Sequence, residues 1–543
     1  MPDERRRRLT LLGLAIVSVL ALAVSFAVDS RGGSDERADG DRISTGDPVD
    51  ADDEGGDGED EGEGEPEGEG EPEGEFFRTD FEGWADPAGF GKPYPNAAVE
   101  GLLTFRGNPS RSYYGAGPVP RTTPEILHRF PDEPMCRSSV NLGETKVWCG
   151  MGWTGQPTII EREDRTWAIF GGYDGHIHFM DAETGERILP DVETGDIIKG
   201  TPTIDPDGYP LVYTGSRDDL LRVIAFDRPG QAEVLWTVHA ESVQPVIWND
   251  DWDASPIVIG DYLVENSESG RFWVIKLNRT TDDAGLVQVD PEVVFTTPVW
   301  DQEALDLNGD KVASAESSPA IYEDTAYLGT SAGLIWGFDL SGLDEGRTPE
   351  PVFRFWSGND HDATVVVDDE GMLYIAGQYD RPLERAREVG QVTKLDPSKP
   401  DDPIVWKIDD HGALSGGVYG TPGIYGDVLY FGTNAGRLVG VDRMTGQVLW
   451  EKRLHPPVWG SPVIVDDVLL IGDCGGTFHA FDVGDPRVEP PVLWQVELGG
   501  CIEATPAVWK GRIYIGTRAG HLYVLGDPSA PASTTSTTAA DDG

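Results

Sequence analysis

The sequence predicts an all-β fold, an eight-bladed β-propeller of four-stranded blades, preceded by one N-terminal transmembrane helix. A Ser-Pro or Thr-Pro pair recurs at Thr201-Pro202, Ser255-Pro256, Ser318-Pro319, Thr421-Pro422, Ser461-Pro462 and Thr505-Pro506, and Gln156-Pro157 and Ala363-Thr364 fill the two gaps. Eight units therefore start at intervals of about 40 to 60 residues, a blade-sized period. Each start leads into short alternating stretches such as LYFG, LLIG and IYIG, bounded by Gly- or Asp-bearing turns, which is the pattern of half-buried strands. Gly (68) and Pro (40) make up about a fifth of the 543 residues and speak against long helices.

The chain opens with Arg5 to Arg8 and then the uncharged run LTLLGLAIVSVLALAVSFAV, residues 9–28. As a helix, 20 residues reach about 30 Å, the thickness of a bilayer core. A cleaved signal peptide has a shorter apolar stretch, and here the small-residue triplet Ala21-Leu22-Ala23 lies inside the run. The arginine flank keeps the N-terminal stub cytoplasmic and sends the rest across, so residues 1–28 read as a signal anchor and the localisation as cell membrane, single-pass. No cysteine lies near the end of the run, which excludes a lipoprotein anchor.

Residues 29–75 hold 21 acidic and 3 basic residues and end in EGEGEPEGEGEPEGE. With so little apolar surface to offset ordering entropy, they read as an extended, disordered linker. The tail, 528–543, reads likewise. The remaining 76–527, the propeller, still carries −36 of the total −54, which excludes nucleic acid as a partner.

The fullest unit, TPGIYGDVLYFGTNAGRLVGVDRMTGQVLW from Thr421, contains a third strand ending at Asp442, a turn at Met444-Thr445-Gly446 and a fourth strand starting at Val448. Here the chain resembles the pyrroloquinoline-quinone (PQQ) type propeller repeat, A-x-D-x-x-T-G-x-x-x-W. Asp442, Thr445, Gly446 and Trp450 match it fully, and Asp181, Thr184 and Gly185 match it without the tryptophan. Trp236, Trp356, Trp406 and Trp494 recur on fourth strands, where a flat ring wedges between blades. The resemblance covers roughly residues 100–527. Trp-Asp pairs such as Trp252-Asp253 and Trp300-Asp301 do not fall at the ends of repeats, which excludes the WD40 alternative.

The last unit ends after three strands, at Leu525-Gly526, and an open edge there invites aggregation. Residues 124–130, PEILHRF, read like a fourth strand with His128 in place of the tryptophan, so an N-terminal strand is expected to complete the eighth blade and tie the ring. The stretch TFRGNPSRSYYGAGPVP, 104–120, resembles the arginine-bearing lead-in of such propellers.

The resemblance implies PQQ held above a tryptophan floor, under a disulfide of adjacent cysteines, beside calcium and a catalytic aspartate. This chain has no adjacent cysteine pair, and no catalytic residue is carried over. Four cysteines allow three pairings. Cys136 and Cys149 share one long loop, while Cys474 and Cys501 fall on the same rim of adjacent blades, so 136 with 149 and 474 with 501 is the economical choice outside the membrane.

The loops that lead into the first strands collect the acids Asp251, Asp253, Glu316, Asp360, Asp362 and Glu503, together with His361, Trp153, Trp248, Trp252, Tyr419 and Trp459. Asp253, Glu316, Asp362 and Glu503 come from four blades at equivalent positions and are expected to converge on one funnel as oxygen ligands for calcium. Asp306-Leu307-Asn308-Gly309-Asp310 resembles half of a calcium loop but lacks its distal glutamate and reads as a turn. The functional expectation is a membrane-anchored extracytoplasmic binding or scaffold module without catalysis, for an envelope protein, peptide or glycan. The alternatives are a PQQ-dependent dehydrogenase with an atypical pocket and an envelope glycan-binding protein.

Overall fold

The computed structural model describes residues 76–529, apart from 142, 153–154, 411 and 413–415. The expected membrane segment at 9–28, the linker at 29–75 and the tail from 530 lie outside the described residues. Among the described residues no helix is long and apolar enough to cross a membrane.

Eight antiparallel blades follow the eight starts. Blade 1 takes Thr158–Arg162, Arg165–Gly171, His176–Asp181 and the short Val192–Glu193, with Gly101–Leu102 added on its inner edge. Blades 2 to 7 begin at Thr203–Ile204, Ile257–Ile259, Ala320–Tyr322, Val366–Val367, Gly423–Tyr425 and Val463–Val465. Blade 8 takes Ala507–Trp509, Arg512–Gly516 and Leu522–Gly526 and is completed on its outer edge by Glu125–Phe130, paired Phe130 to Leu522 and Glu125 to Gly526. The closing strand sits where the sequence placed it, and it removes the open edge.

The Ser/Thr-Pro repeat has a physical reason. In blades 2 to 7 the Ser or Thr hydroxyl accepts the backbone N–H of the equivalent residue one blade earlier. The chain of bonds runs Gln156 to Thr201 (2.9 Å), Thr201 to Ser255 (3.0 Å), Ser255 to Ser318 (2.9 Å), Ser318 to Thr364 (3.1 Å), Thr364 to Thr421 (3.1 Å) and Thr421 to Ser461 (2.9 Å). These buried N–H groups line the central shaft, away from strand partners, and need an acceptor. The ring corrects the fifth start by one residue. Thr364, not Ala363, supplies the hydroxyl, and Val365 takes the place of proline.

The shaft is filled by the lead-in. Arg106 and Arg111 are fully buried. Arg106 donates to the carbonyls of Pro422 (2.5 Å), Thr421 (2.7 Å) and Pro462 (2.8 Å), and Arg111 to those of Pro319 (2.8 Å) and Ser255 (2.7 Å). Two guanidiniums thus satisfy carbonyls on four blades, which a lysine's point charge does less well.

Each long fourth strand bulges one residue before a ring that docks against the next blade. The rings are Trp236, Phe295, Phe353, Trp406, Trp450, Trp494 and His128. The ring N–H of Trp406, Trp450, Trp494 and His128 reaches the carbonyl of Arg443, Pro486, Pro120 and Glu183 respectively. The glycine of the T-G turn makes room, since a Cβ on Gly446 would lie 2.7 Å from Trp406 and one on Gly185 2.8 Å from His128. Trp356 is not the wedge of blade 4. It lies three residues beyond Phe353 and donates to Ala332 of its own blade. The bulge shifts the strand's phase, so tryptophan spacing alone misassigns it.

Both disulfides form as expected, Cys136–Cys149 at the base of a hairpin and Cys474–Cys501 between blades 7 and 8. The second closes a loop with a sequence separation of 27. Replacing both its cysteines by serine is expected to lower unfolding free energy by about 3 kcal/mol on the chain-entropy account, measured by urea denaturation of the oxidised proteins. Unreduced peptide maps of the natural chain should show the two fragments joined.

Candidate functional site

Each blade turns two loops to one face: the segment leading into its first strand and the hairpin between its second and third strands. Counting back from the ring hydroxyl, the residue at minus three packs between blades. Trp252 and His361 hold this position and are 0% and 2% exposed. A Cβ on Gly215 would lie 2.2 Å from Trp252, so the second strand must end in a residue without one. Trp252 sits against Trp273, and His361 bonds Ser357 Oγ (2.6 Å) and the Ala376 carbonyl (2.8 Å). Burial lowers the pKa of His361 to about 4, so it is a neutral packing group. The sequence reading collected both on the entry face, and the structure buries them between blades.

The residue at minus two is the one that faces the funnel. Around the ring these are Lys199, Asp253, Glu316, Asp362, Tyr419, Trp459 and Glu503, and the equivalent in blade 1, residue 154, lies outside the described residues, as does Trp153. The four carboxylates named from the sequence share this ring position, with Glu316 in the field of Asp253 and Lys199, Asp362 in that of Glu316, and Glu503 in that of Lys199. They do not form one compact ligand set. The tight group that includes one of them is Asp251, Asp253 and Glu268, all buried, with one oxygen of each within 4.8 Å of the others, and Asp219 and Asp250 form a second such group with Asp251.

The second layer comes from the hairpins, two residues past each second strand's closing glycine or its equivalent. It includes Tyr173, Arg217, Glu268, Gln378, Asn434 and Arg518. These groups pair with the first layer. Lys199 Nζ is bonded to Asp253 and lies 3.5 Å from Glu268. Arg217 Nε donates to Asp251 (2.5 Å), Arg518 Nη1 to Glu503 (2.6 Å) and Gln378 to Asp362 (3.0 Å). Sequence reasoning missed all the cations here. Lys199 carried a usable signal, the same offset from Thr201 as Asp253 has from Ser255, whereas Arg217 and Arg518 become legible only once the hairpins are aligned. The hairpin Cys136–Asn141 and Glu144–Cys149 leans over this lip. Its Trp148 meets Tyr173 edge to face at 5.6 Å, and the guanidiniums of Arg518 and Arg217 lie 4.9 and 5.3 Å from its ring.

Burial raises the proton affinity of most of these acids. Asp251 is pushed up to about 7 by desolvation and then by Asp253, and Asp360 to about 7 by desolvation and then by Asp380. Glu268 and Asp362 are raised well above the ordinary range, and Glu316 and Glu503 are raised, burial being the first cause throughout. Asp253 goes down: desolvation opposes its charge, but Lys199 and Arg217 outweigh it. A folded acid with a raised pKa holds a proton that the unfolded chain has released near pH 4, so stability falls as pH rises toward the folded value. Above pH 6.5 unfolded histidines are neutral and His361 no longer opposes this trend. The melting temperature is therefore expected to drop between pH 6.5 and 8 at fixed ionic strength, and Asp360→Asn should shallow the slope in a dye-based thermal scan.

Three comparisons bear on this architecture. A sequence family described as outer membrane protein assembly factor BamB matches residues 388–525. Quinoprotein alcohol dehydrogenase PedE of Pseudomonas putida is 30% identical over 401 residues, 71% of this chain and 54% of that protein. The assembly factor BamB of Nitrosomonas eutropha is 24% identical over 166 residues, 29% of this chain and 35% of that protein. The chain spans about half the length, or less, of the curated relatives it matches. Among solved structures, a europium-containing methanol dehydrogenase superposes with TM-score 0.50 at 13% identity over 78% of this chain and 98% of that one, a likeness of fold alone.

Proposed function

The chain is a β-propeller of the PQQ-like repeat type, and from that premise we propose that it acts as a non-catalytic binding or scaffold module, held on the extracytoplasmic side of a membrane by residues 9–28. One observation carries the reading: the funnel's cations are already spent on the chain's own carboxylates. PQQ is a tricarboxylate and needs positive groups to receive it. Lys199 is held by Asp253 and Glu268, Arg217 by Asp251, Arg518 by Glu503, and Arg381 by Asp310 (2.8 Å), while Glu316 and Asp362 face the same space. Neither disulfide joins adjacent residues, so the ceiling of a quinone site is missing as well. The donor set does not fit an anionic quinone.

Calcium fits no better at the tight carboxylate group. It takes six to eight oxygens, and Asp251, Asp253 and Glu268 enclose Lys199 and Arg217, whose charges repel a further cation. The two disulfides support the extracytoplasmic side, where thiols oxidise. The test is native mass spectrometry of the full chain as produced, joined to dye reduction with added PQQ and calcium. The expected result is an unadorned mass and no dye reduction. A retained quinone, or turnover on reconstitution, overturns the binding-module reading in favour of a dehydrogenase.

A further inference from the structure

We infer that the funnel recognises an alkylammonium or guanidinium group between Glu316 and Asp362, with its carbon stem against Tyr419 and Trp459. The inference rests on the binding-module reading and names the ligand class of that site.

Blades 2, 3 and 8 show what these carboxylates select. There each acid is matched by a nitrogen cation from the chain: Lys199 to Asp253, Arg217 to Asp251, Arg518 to Glu503. Blades 4 and 5 present the same kind of acid at the same ring position, but among the described residues neither Glu316 nor Asp362 has a salt bridge. Glu316 accepts the Ser314 hydroxyl (3.1 Å) and Asp362 the Gln378 amide (3.0 Å). Asp362 is repelled by Glu316, Glu316 by Asp253, and both are attracted by Lys199, so a cation placed between Glu316 and Asp362 relieves both.

A second feature points into the same space independently of the acids. Tyr173 is 1% exposed, and its hydroxyl has no hydrogen bond among the described residues. Its hydroxyl lies beside the Lys199 backbone, since a Cβ on Gly152 would sit 2.8 Å from the one and 2.9 Å from the other, and Tyr419 lies in the field of Asp362, Glu316 and Tyr173, so the hydroxyl borders the funnel as an acceptor.

The next two blades supply an apolar wall. The rings of Tyr419 and Trp459 are 5.5 Å apart at 55°, both half-buried, with the Trp459 indole N–H fixed on Asn434 Oδ1 (3.1 Å). Aromatic faces attract organic cations and pack their stems. A bare divalent ion uses neither. The other charges facing the site are Asp360 and Asp380 beside Arg381, and Glu503 beside Arg518, and they leave the local balance negative.

Two sources carry this chemistry, a free amine and a lysine or arginine side chain of a partner protein, and the experiment separates them. Full-length protein is titrated calorimetrically with n-butylammonium, n-butylguanidinium and an acetylated Gly-Lys-Gly peptide, with n-butanol, calcium chloride and a neutral disaccharide as controls. The cations are expected to bind with proton release at pH 7, and Glu316→Gln with Asp362→Asn is expected to weaken them about tenfold or more. Trp459→Leu should weaken binding without altering the melting curve, which keeps the test valid if the double variant folds poorly. A peptide at least about tenfold tighter than the free amine assigns the site to a protein side chain, and equal affinity assigns it to a small amine. Absence of cation binding at millimolar concentration, or binding of calcium or the disaccharide alone, overturns the inference. If that result comes with no retained quinone, the binding-module reading stands and only the ligand class falls.

Discussion

Deleting residues 100–130 is expected to abolish cooperative unfolding and drive the chain into aggregates, although all eight repeat starts remain. The deletion removes Glu125–Phe130 and leaves Leu522–Gly526 as a bare edge. It also removes Arg106 and Arg111, whose donors satisfy five carbonyls on four blades deep in the shaft. Each buried carbonyl left without a donor costs about 1–3 kcal/mol, and five of them rival the whole net stability of a domain, roughly 5–15 kcal/mol. Size-exclusion chromatography and a thermal scan check it. A monomeric truncation with one sharp transition shows that the ring closes some other way.

Lys199→Met is the second large effect. Asp253 is completely buried and draws its charge stabilisation first from Lys199. Removing one partner of a buried pair leaves an uncompensated charge and costs about 3–5 kcal/mol. Because Asp253 in the wild type is held below its ordinary pKa, its contribution is present at neutral pH and lost as pH falls through that depressed value. In the variant the order reverses. The stranded carboxyl rises above its usual range, so the loss is greatest near pH 8 and shrinks toward pH 5, where the group protonates. Urea denaturation at the two pH values reads this, and adding Asp253→Asn should recover most of the stability. Equal losses at both pH values, unrelieved by the second substitution, point to packing and not to charge.

The blades were legible because their starts carry a chemical obligation. A buried backbone N–H in the shaft needs an acceptor, and a Ser or Thr hydroxyl before a proline supplies it, so the pair repeats visibly. Where the proline is absent the count still holds but the phase slips, as between Ala363 and Thr364. The closing strand was legible because His128 occupies a wedge position whose partner is the T-G turn at Thr184-Gly185. The bulge before each wedge ring has no residue-level signature, which is why tryptophan spacing points to Trp356 where Phe353 is the wedge. The funnel was half legible. Carboxylates at a fixed offset are visible as a pattern, but their cations stand on other loops, and whether Trp252 faces solvent or core is decided by a single step of strand phase. Arg106 and Arg111 sit in left-handed backbone, φ 53° and 61°, a conformation the shaft imposes and composition does not announce.

The ring of hydroxyls has a seam. Six successive bonds run from Gln156 to Ser461, and then the series stops: among the described residues Thr505 Oγ1 has no hydrogen-bond partner. That missing link lies between blades 7 and 8, where Cys474 and Cys501 are covalently joined. A closed band fails at its weakest joint, and here the joint has been riveted on the outside where the inner stitching lapses. The integrity of the ring is thus expected to follow the oxidation state of its surroundings. Under reducing conditions local opening is expected to begin between blades 7 and 8, and hydrogen exchange should show the amide protons of Val463–Val465 and Ala507–Trp509 exchanging ahead of those in blades 2 to 6.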